Sequence, residues 1–332
     1  MSKPYALLRA GFPFHATLGM RRVTTYPMDL AFGDDGMMFV LCRNDGEGGD
    51  VRRTNWDDDD LGTFGSGFMW PVQIIRDRDE KLYISDEGNH TISIWDRDGK
   101  QHGSWGRHGS GDGELNRPSG IMFDADGNML VADTLNHRIQ RFTPDGTFLS
   151  KFGSHGSGAG ELDMPWGVAV DDENNILVAD WHNNRIQKFA PDGTFIMQFG
   201  RPGSGEGELK GPAGITVDQH GDIYVADRGN HRILQFDHTG RYVDRFIGDA
   251  TLSKSGRIYI MANPKVLRAR EMTTLEESKR LRGPDSVRFG DDGFMYIPDF
   301  GSHRIQVYRK EAYELTDEQI WAEQKSPFLY TV

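Results

Sequence analysis

The chain has few cysteines, no long apolar run and a deficit of positive charge. Its 332 residues include one cysteine, Cys42, which excludes an internal disulfide framework and favours a reducing, cytoplasmic location. No stretch reaches the apolar length of a membrane span, and the start has no secretory-signal pattern. Because 38 Lys and Arg face 50 Asp and Glu, the formal net charge is −12. This balance disfavours nucleic acid as a partner, since phosphate binding usually starts from a basic patch.

The chain does contain an internal repeat. Each copy opens with a proline followed by a short apolar run, and the clearest copies recur every 47 residues. Those clearest copies begin at Pro118, Pro165 and Pro212. Three weaker copies begin at Pro27, Pro71 and Pro284.

Each copy predicts four short strands. In the copy at Pro118 the β-branched and aromatic runs are GIMF, MLVA, RIQRF and FLSKF, with the turn sequences DADG and TPDG among them. Such a unit is typical of a propeller blade, which buries its faces only against neighbouring blades. We therefore predict an all-β fold, a six-bladed β-propeller of four-stranded antiparallel blades over residues 1–312. The N-terminal segment 5–11 is predicted to form the outer strand of the last blade and to close the ring.

The segment that follows the second strand repeats the letters N-H-R-I. It reads NHRIQ at 136–140, NNRIQ at 183–187, NHRIL at 230–234 and SHRIQ at 302–306, and VAD precedes it in the strongest copies. Through these segments the chain resembles the NHL-repeat family over roughly residues 5–310. The resemblance implies a propeller and leaves the function open, because such propellers include enzymes, RNA binders and scaffolds.

Residues that recur from blade to blade are expected to hold the architecture. Asp180 and Arg185 flank the loop between the second and third strands of blade 4, and a carboxylate–guanidinium pair there would clamp the hairpin. The histidines of the N-H-R-I segments share one repeated position, so we interpret them as structural rather than as metal ligands. They are His90, His137, His231 and His303.

Residues that break the repeat near the mouth of the central channel are the candidate binding residues. Trp166 and Trp181 fall in one sector, where they either form the aromatic wall of a ligand pocket or pack under a loop. Arg43 and Arg228 either bind a carboxylate or phosphate group of a ligand or form ion pairs with acidic residues across the rim. The predicted ligand-binding set is Arg43, Glu87, Trp166, Trp181, Arg228 and Phe300.

One enzyme family similar in fold is the amidating lyase that splits peptidyl-hydroxyglycine. That family places metal-binding histidines directly after the blade-opening proline, and none of the equivalent residues here is a histidine. We therefore predict no metal ligand and no cofactor, and the sequence leaves a divalent metal in the channel as an open alternative. The equivalent residues are Met28, Val72, Ser119, Trp166, Ala213 and Asp285.

Two functions remain. The first is binding of a small polar or anionic molecule at the channel mouth by a lyase or hydrolase, with His182 as the acid/base and Asp285 or Glu87 orienting it. The second is a non-catalytic scaffold that binds a protein partner or a second copy of itself. The paired tryptophans and the insertion described next favour the first function.

Residues 249–283 form an insertion between blades 5 and 6. The interval from Pro212 to Pro284 exceeds the usual repeat by about 25 residues. We predict one helix or two short ones between Asn263-Pro264 and Gly283, and we expect a lid over the two tryptophans, with a surface decoration or a dimer contact as alternatives. Residues 313–332 are predicted to form a short helix and an apolar tail.

Overall fold

A computed structural model describes residues 8–19, 23–265, 268 and 275–314. Six four-stranded antiparallel sheets form the blades of a propeller, as predicted. Among the described residues, no helix is long and apolar enough to cross a membrane. The chain begins with β1 (Leu8–Gly11) and β2 (Phe14–Leu18).

The blades follow in chain order, and the first strand of each lies nearest the axis. Blade 1 contains β3 (Pro27–Phe32), β4 (Met38–Arg43), β5 (Gly49–Thr54) and β6 (Thr63–Phe64). Blade 2 contains β7 (Pro71–Arg76), β8 (Leu82–Asp86), β9 (Thr91–Trp95) and β10 (Gln101–Trp105). Blade 3 contains β11 (Pro118–Phe123), β12 (Met129–Asp133), β13 (Arg138–Phe142) and β14 (Phe148–Phe152).

The second half of the ring repeats this arrangement. Blade 4 contains β15 (Pro165–Val170), β16 (Ile176–Asp180), β17 (Arg185–Phe189) and β18 (Phe195–Phe199). The next loop holds a short parallel pair, β19 (Arg201–Pro202) and β20 (Glu208–Leu209). Blade 5 contains β21 (Pro212–Val217), β22 (Ile223–Asp227), β23 (Arg232–Phe236) and β24 (Tyr242–Phe246). After α1 (Lys254–Met261) and α2 (Leu275–Lys279), blade 6 contains β25 (Arg288–Phe289), β26 (Phe294–Asp299) and β27 (Arg304–Arg309), and β28 (Glu311–Glu314) follows.

Apolar packing between blades holds the ring together. Every residue of β12 and of β16 is buried, because each blade is covered on both faces by its neighbours. Six apolar clusters lie one at each boundary between blades, including the boundary between blades 6 and 1. Each hairpin is set by turn chemistry of the kind seen at Gly127, whose φ of 79° suits glycine and whose N–H donates to Asp124.

The predicted clamp is present in blades 3 to 6. In blade 4, Arg185 Nε donates to Asp180 Oδ2 at 2.8 Å, and both side chains are buried. The same guanidinium donates to the backbone oxygens of Ser157, Gly158 and Glu161, so the pair also fixes the loop that enters the blade. The equivalent pairs are Asp133–Arg138, Asp227–Arg232 and Asp299–Arg304.

The repeated histidines tie each blade to the next. His90 Nδ1 accepts the backbone N–H of Arg117, the residue before the proline that opens blade 3, at 3.0 Å. In blade 4 the Asn184 side-chain oxygen accepts the N–H of Gly211 in the same way. These contacts support the structural interpretation of the four histidines. The other pairs are His137–Met164, His231–Gly283 and His303–Tyr26.

The ring closes through an N-terminal strand, but a different segment from the predicted 5–11 provides it. Strand β2 pairs antiparallel with β27 as the outer strand of blade 6, whereas β1 pairs with β28 beside the propeller. The sequence FHATLG at 14–19 has the Phe-x-x-x-apolar-Gly pattern of FLSKFG at 148–153, so its apolar residues face the core in the outer-strand register.

The described part of the insertion lies away from the two tryptophans. Ser253 caps α1 by accepting the N–H of Gly256, and α1 is anchored where Ser255 N donates to Asp58 Oδ2. Thr251 N donates to Thr17 Oγ1 of β2, so this part runs along the outer edge of blades 6 and 1. These contacts do not support a lid, because hydrogen bonds to the outer strand hold α1 at the perimeter.

Other predicted helical segments fall partly outside the described residues. Pro264 and Lys265 are helical, as the predicted Asn263 cap requires, but residues 266, 267 and 269–274 are not described. Helix α2 takes the place of the glycine-rich loop of other blades, since Arg304 donates to backbone oxygens at Ser278 and Arg280. The predicted C-terminal helix of 313–332 lies outside the described residues, except for the last two residues of β28.

Candidate functional site

Four charged residues from four blades meet at the mouth of the channel, on the face that carries the loops between second and third strands. We call Arg43, Glu87, Arg228 and Asp285 the mouth cluster. Burial lowers the pKa of Arg43, while the charges of Glu87 and Asp285 raise it and that of Arg228 lowers it. The four groups therefore act on one another electrostatically, although 242 residues of sequence separate the first from the last.

Arg43 is held at one end and unpaired at the other. Its Nε donates to the backbone oxygen of Pro71 at 2.8 Å. Its Nη2 is buried and has no hydrogen-bond partner among the described residues. A buried guanidinium nitrogen without an acceptor costs free energy, so this atom favours the presence of a ligand oxygen or a water.

Glu87 is almost fully buried beside an arginine that sequence reasoning missed. Its Oε2 accepts Arg117 Nη2 at 2.6 Å and Arg117 Nε at 3.1 Å, whereas Oε1 has no partner in the described part of the chain. Burial raises the pKa of Glu87, and Arg117 and Arg43 oppose that rise. The signal that could have identified Arg117 is its place directly before Pro118, where the repeats differ in residue type.

Asp285 is buried and in contact with Arg228. Arg228 Nε lies 2.6 Å from Asp285 Oδ1 and forms an ion pair with it, whereas Asp285 Oδ2 has no hydrogen-bond partner among the described residues. Burial raises the pKa of Asp285, while Arg228 and Arg43 lower it. Because Arg228 remains 45% exposed at its side chain, it can reach a molecule that arrives from solvent.

The two tryptophans lie together beside this cluster. The rings of Trp166 and Trp181 are 5.3 Å apart in an edge-to-face arrangement, and both side chains are half-buried. Trp181 also packs against the backbone at Gly211, where a Cβ would come within 2.5 Å of its Nε1. Trp166 and Asp285 line the same axial cavity. Of the sequence-predicted aromatic and charged residues, Trp166 and Asp285 are therefore neighbours.

The channel below the mouth is nearly filled. The axial cavity has a volume of about 10 Å³, roughly enough for one water molecule. In the wall of this cavity Arg288 donates to both carboxylate oxygens of Asp29, and Ser286 Oγ and Ile74 N donate to the same carboxylate. A ligand larger than water that arrives at the mouth would have to rest there, because the cavity is too small to admit it.

His182 and Phe300 contact residues outside the mouth cluster. His182 Nδ1 lies 3.5 Å from Asp163 Oδ2, and its ring lies 4.8 Å from that of Trp181. No contact joins His182 to Asp285 in the part of the chain that the structure describes. Phe300 packs on Tyr26, with 5.1 Å between ring centroids. The structure thus brings the charged residues and Trp166 together and places the predicted acid/base in a different cluster.

Potential metal ligands also meet away from the mouth. Ligand atoms of His137, His155 and Asp163 all lie within 4.8 Å of one another. Among the described residues this is the only such group of three. It lies at the boundary between blades 3 and 4, next to His182.

Comparisons with known proteins agree with this architecture. The family model of the NHL repeat matches residues 115–142, 162–189 and 209–236, which run into and through blades 3, 4 and 5. No curated protein sequence matches the chain significantly. The fold and these matches define the chain as a six-bladed β-propeller that contains NHL repeats.

Solved structures with the same fold have low sequence identity. Virginiamycin B lyase from Staphylococcus aureus is 14% identical, covers 93% of this chain and 89% of its own, and has a TM-score of 0.57. A streptogramin B lyase is 14% identical over 93% of this chain and 100% of its own, with a TM-score of 0.58. A protein of unknown function from Bacteroides thetaiotaomicron is 18% identical over 92% of this chain and 76% of its own, with a TM-score of 0.63. At these identities the likeness shows the fold alone.

Proposed function

We propose that the protein binds a small polar or anionic molecule at the channel mouth and acts on it as a lyase. One observation carries the proposal, namely the unpaired buried polar atoms of the mouth cluster. Arg43 Nη2, Glu87 Oε1 and Asp285 Oδ2 have no hydrogen-bond partner among the described residues, whereas Asp285 Oδ1 is in an ion pair with Arg228. Buried polar groups are normally satisfied, so a cluster of exceptions at a concave mouth is where a polar ligand gains most.

The charges of the cluster favour an anionic group on the ligand. Arg228 is the exposed member, and its guanidinium can hold a carboxylate in a two-point contact while Arg43 supplies a second donor from below. Trp166 and Trp181 provide an apolar side against which the rest of a small molecule can pack. The filled channel limits the ligand to the mouth.

The reaction class rests on acid/base groups with shifted pKa values. Burial raises the pKa of both Glu87 and Asp285, which favours a protonated carboxyl able to donate to a leaving group. Asp285 remains the proposed catalytic residue and Glu87 is the alternative acid, whereas His182, which the sequence predicts as the acid/base, contacts Asp163 and is given no role in this reaction. The virginiamycin B and streptogramin B lyases share the fold, and this supports lyase chemistry only as an analogy.

The test is a comparison of ligand binding by matched arginine variants. Screening small carboxylates and other anions by thermal shift, followed by calorimetry on any hit, should give at least about tenfold weaker binding for Arg228→Gln and for Trp166→Ala, because each removes a direct contact. Arg201→Gln is the control, since Arg201 is exposed and pairs with Glu208 far from the mouth. Equal affinity in Arg228→Gln and the parent would contradict the proposed site.

A second candidate function is a non-catalytic interaction platform. Three aliphatic side chains, Leu149, Ile196 and Val243, occupy the same position in the outer strands of blades 3, 4 and 5, and each is about 45% exposed. This apolar row would suit a second copy of the chain. Replacing all three by Ser should convert a dimer to a monomer in light scattering. A monomeric parent would leave homodimerisation without support.

A further inference from the structure

Three histidines surround one carboxylate at the boundary between blades 3 and 4. Asp163 Oδ1 lies 3.2 Å from His137 Nδ1 and 3.6 Å from His155 Nε2, and Asp163 Oδ2 lies 3.5 Å from His182 Nδ1. His137 and His182 come from loops of successive blades, and the loop between those blades supplies the other two residues. The propeller therefore brings together four groups that are spread over 46 residues of sequence.

These distances match a shared metal ion better than direct hydrogen bonds. Two ligand atoms on a tetrahedral Zn²⁺, each about 2.0–2.1 Å from the ion, stand roughly 3.3 Å apart. The contacts of His155 and His182 with Asp163, at 3.6 and 3.5 Å, are too long for good hydrogen bonds but close to that ligand spacing. Both oxygens of the carboxylate face an imidazole nitrogen, so the arrangement offers the nitrogen and oxygen ligands that zinc binds.

His137 borders the site rather than completing it. Its Nδ1 accepts the backbone N–H of Met164 at 3.1 Å, which is the tie found at every equivalent histidine. That bond occupies the lone pair that a metal would need. Its ring packs on the ring of His155, with 4.2 Å between centroids, and so holds His155 towards Asp163.

The preceding boundary, between blades 2 and 3, gives an internal comparison. His90 and His108 pack there with 4.5 Å between ring centroids, as His137 and His155 do at the next boundary. The equivalent of Asp163 is Asn116 and the equivalent of His182 is Leu135. The same backbone therefore occurs without the carboxylate and the third imidazole, so neither residue is needed for the blades to pack.

We propose that His155, Asp163 and His182 bind a divalent transition-metal ion, for which Zn²⁺ is the probe, on the loop-tip rim of blade 4. Two imidazoles and one carboxylate suit zinc, and water would complete a four-coordinate site. His155, Asp163 and His182 do not have the mutual spacing within 4.8 Å that His137, His155 and Asp163 have, so the exposed imidazoles of His155 and His182 must change rotamer to share one ion. Asp163 is the more buried anchor between them. The site is separate from the mouth cluster and does not depend on the proposed lyase function.

The experiment gives the boundary between blades 3 and 4 the residues found at the boundary between blades 2 and 3. The Asp163→Asn/His182→Leu variant of the full chain, without an affinity tag, reproduces the residues found at Asn116 and Leu135 and is expected to fold. Calorimetry with ZnCl₂ should show one ion bound per chain by the parent. Since losing even an outer-shell partner costs roughly 10–100-fold in affinity, we expect at least about a hundredfold weaker binding by the double variant.

A second readout and a matched control make the result specific. Because the Trp181 ring lies 4.8 Å from that of His182, Ni²⁺ should quench Trp181 fluorescence, and Zn²⁺ should reverse the quenching. His108→Ala removes a histidine from the sibling boundary and should leave zinc affinity unchanged. Absence of zinc binding by the parent, or equal binding by parent and double variant, would overturn the proposal. So would loss of binding in His108→Ala.

Discussion

His303 Nδ1 accepts the backbone N–H of Tyr26 at 3.1 Å, across 277 residues of sequence. This hydrogen bond joins the last blade to the first and is the closing member of the ties that link neighbouring blades. The rings of Tyr26 and His303 also pack, with 4.3 Å between centroids. The ring is therefore closed by a polar contact of the same kind as its other boundaries, as well as by β2.

Replacing His303 should weaken this boundary. His303→Ala leaves the Tyr26 N–H without its acceptor, which we expect to cost about 1–3 kcal/mol of unfolding free energy. His303→Asn should lose less, because Asn184 makes the equivalent tie to Gly211 with its side-chain oxygen. Urea unfolding of the two variants measures the difference. Equal losses would show that the hydrogen bond contributes little and that ring packing dominates.

Removing the Asp180–Arg185 clamp should lower the unfolding free energy by more than loss of the His303 tie, and the effects of its two members should not be additive. Arg185→Met leaves the buried Asp180 carboxylate without its guanidinium partner, which we expect to cost about 3–5 kcal/mol. The Asp180→Asn/Arg185→Met double variant removes the unpaired charge as well. It should therefore be less destabilised than the sum of the two single variants in a double-mutant cycle. Additive losses would mean that the two side chains act independently.

The architecture could be predicted from sequence because the chain contains six copies of the same blade pattern. Proline spacing, the turn sequences and the Asp–Arg pattern all report local chemistry that each blade needs by itself. The error at 5–11 arose where only one copy of the closing strand exists. Helix α1 was missed for a related reason, since Gly256 and the β-branched Ile258 give it weak helix propensity and the insertion has no sibling.

The candidate site was less accessible to sequence reasoning. Residues that break the repeat were expected to lie on one face, and of these Arg43, Glu87 and Asp285 act on one another at the mouth. The repeat cannot tell how loops of different blades meet. Arg117, which pairs with Glu87, was missed for this reason, and so was the approach of Asp163 to His182. Both contacts join residues from neighbouring repeat units.

The single cysteine is expected to be inert in the folded protein. Cys42 is buried, and burial raises the pKa of its thiol to about 12, so almost no thiolate forms near neutral pH. An aromatic disulfide reagent should therefore leave native protein unmodified and should modify one thiol per chain in denaturant. Rapid modification of native protein would contradict this burial.

The buried Asp285 predicts a pH dependence whose sign can be worked out. Burial raises the pKa of Asp285 in the folded chain above the ordinary value of 3.8. At a pH between 3.8 and the folded-state pKa, the folded chain therefore keeps a proton that the unfolded chain has lost. The contribution of this group to stability is present below the ordinary pKa and is lost as the pH rises through the folded-state pKa. The Asp285→Asn variant cannot ionise and does not share that loss. Unfolding free energies of parent and variant, measured by urea from about pH 4 to pH 8, should differ increasingly in favour of the variant and then level off. A constant difference would show that Asp285 has the same pKa in both states and would contradict the effect of burial on this carboxyl group.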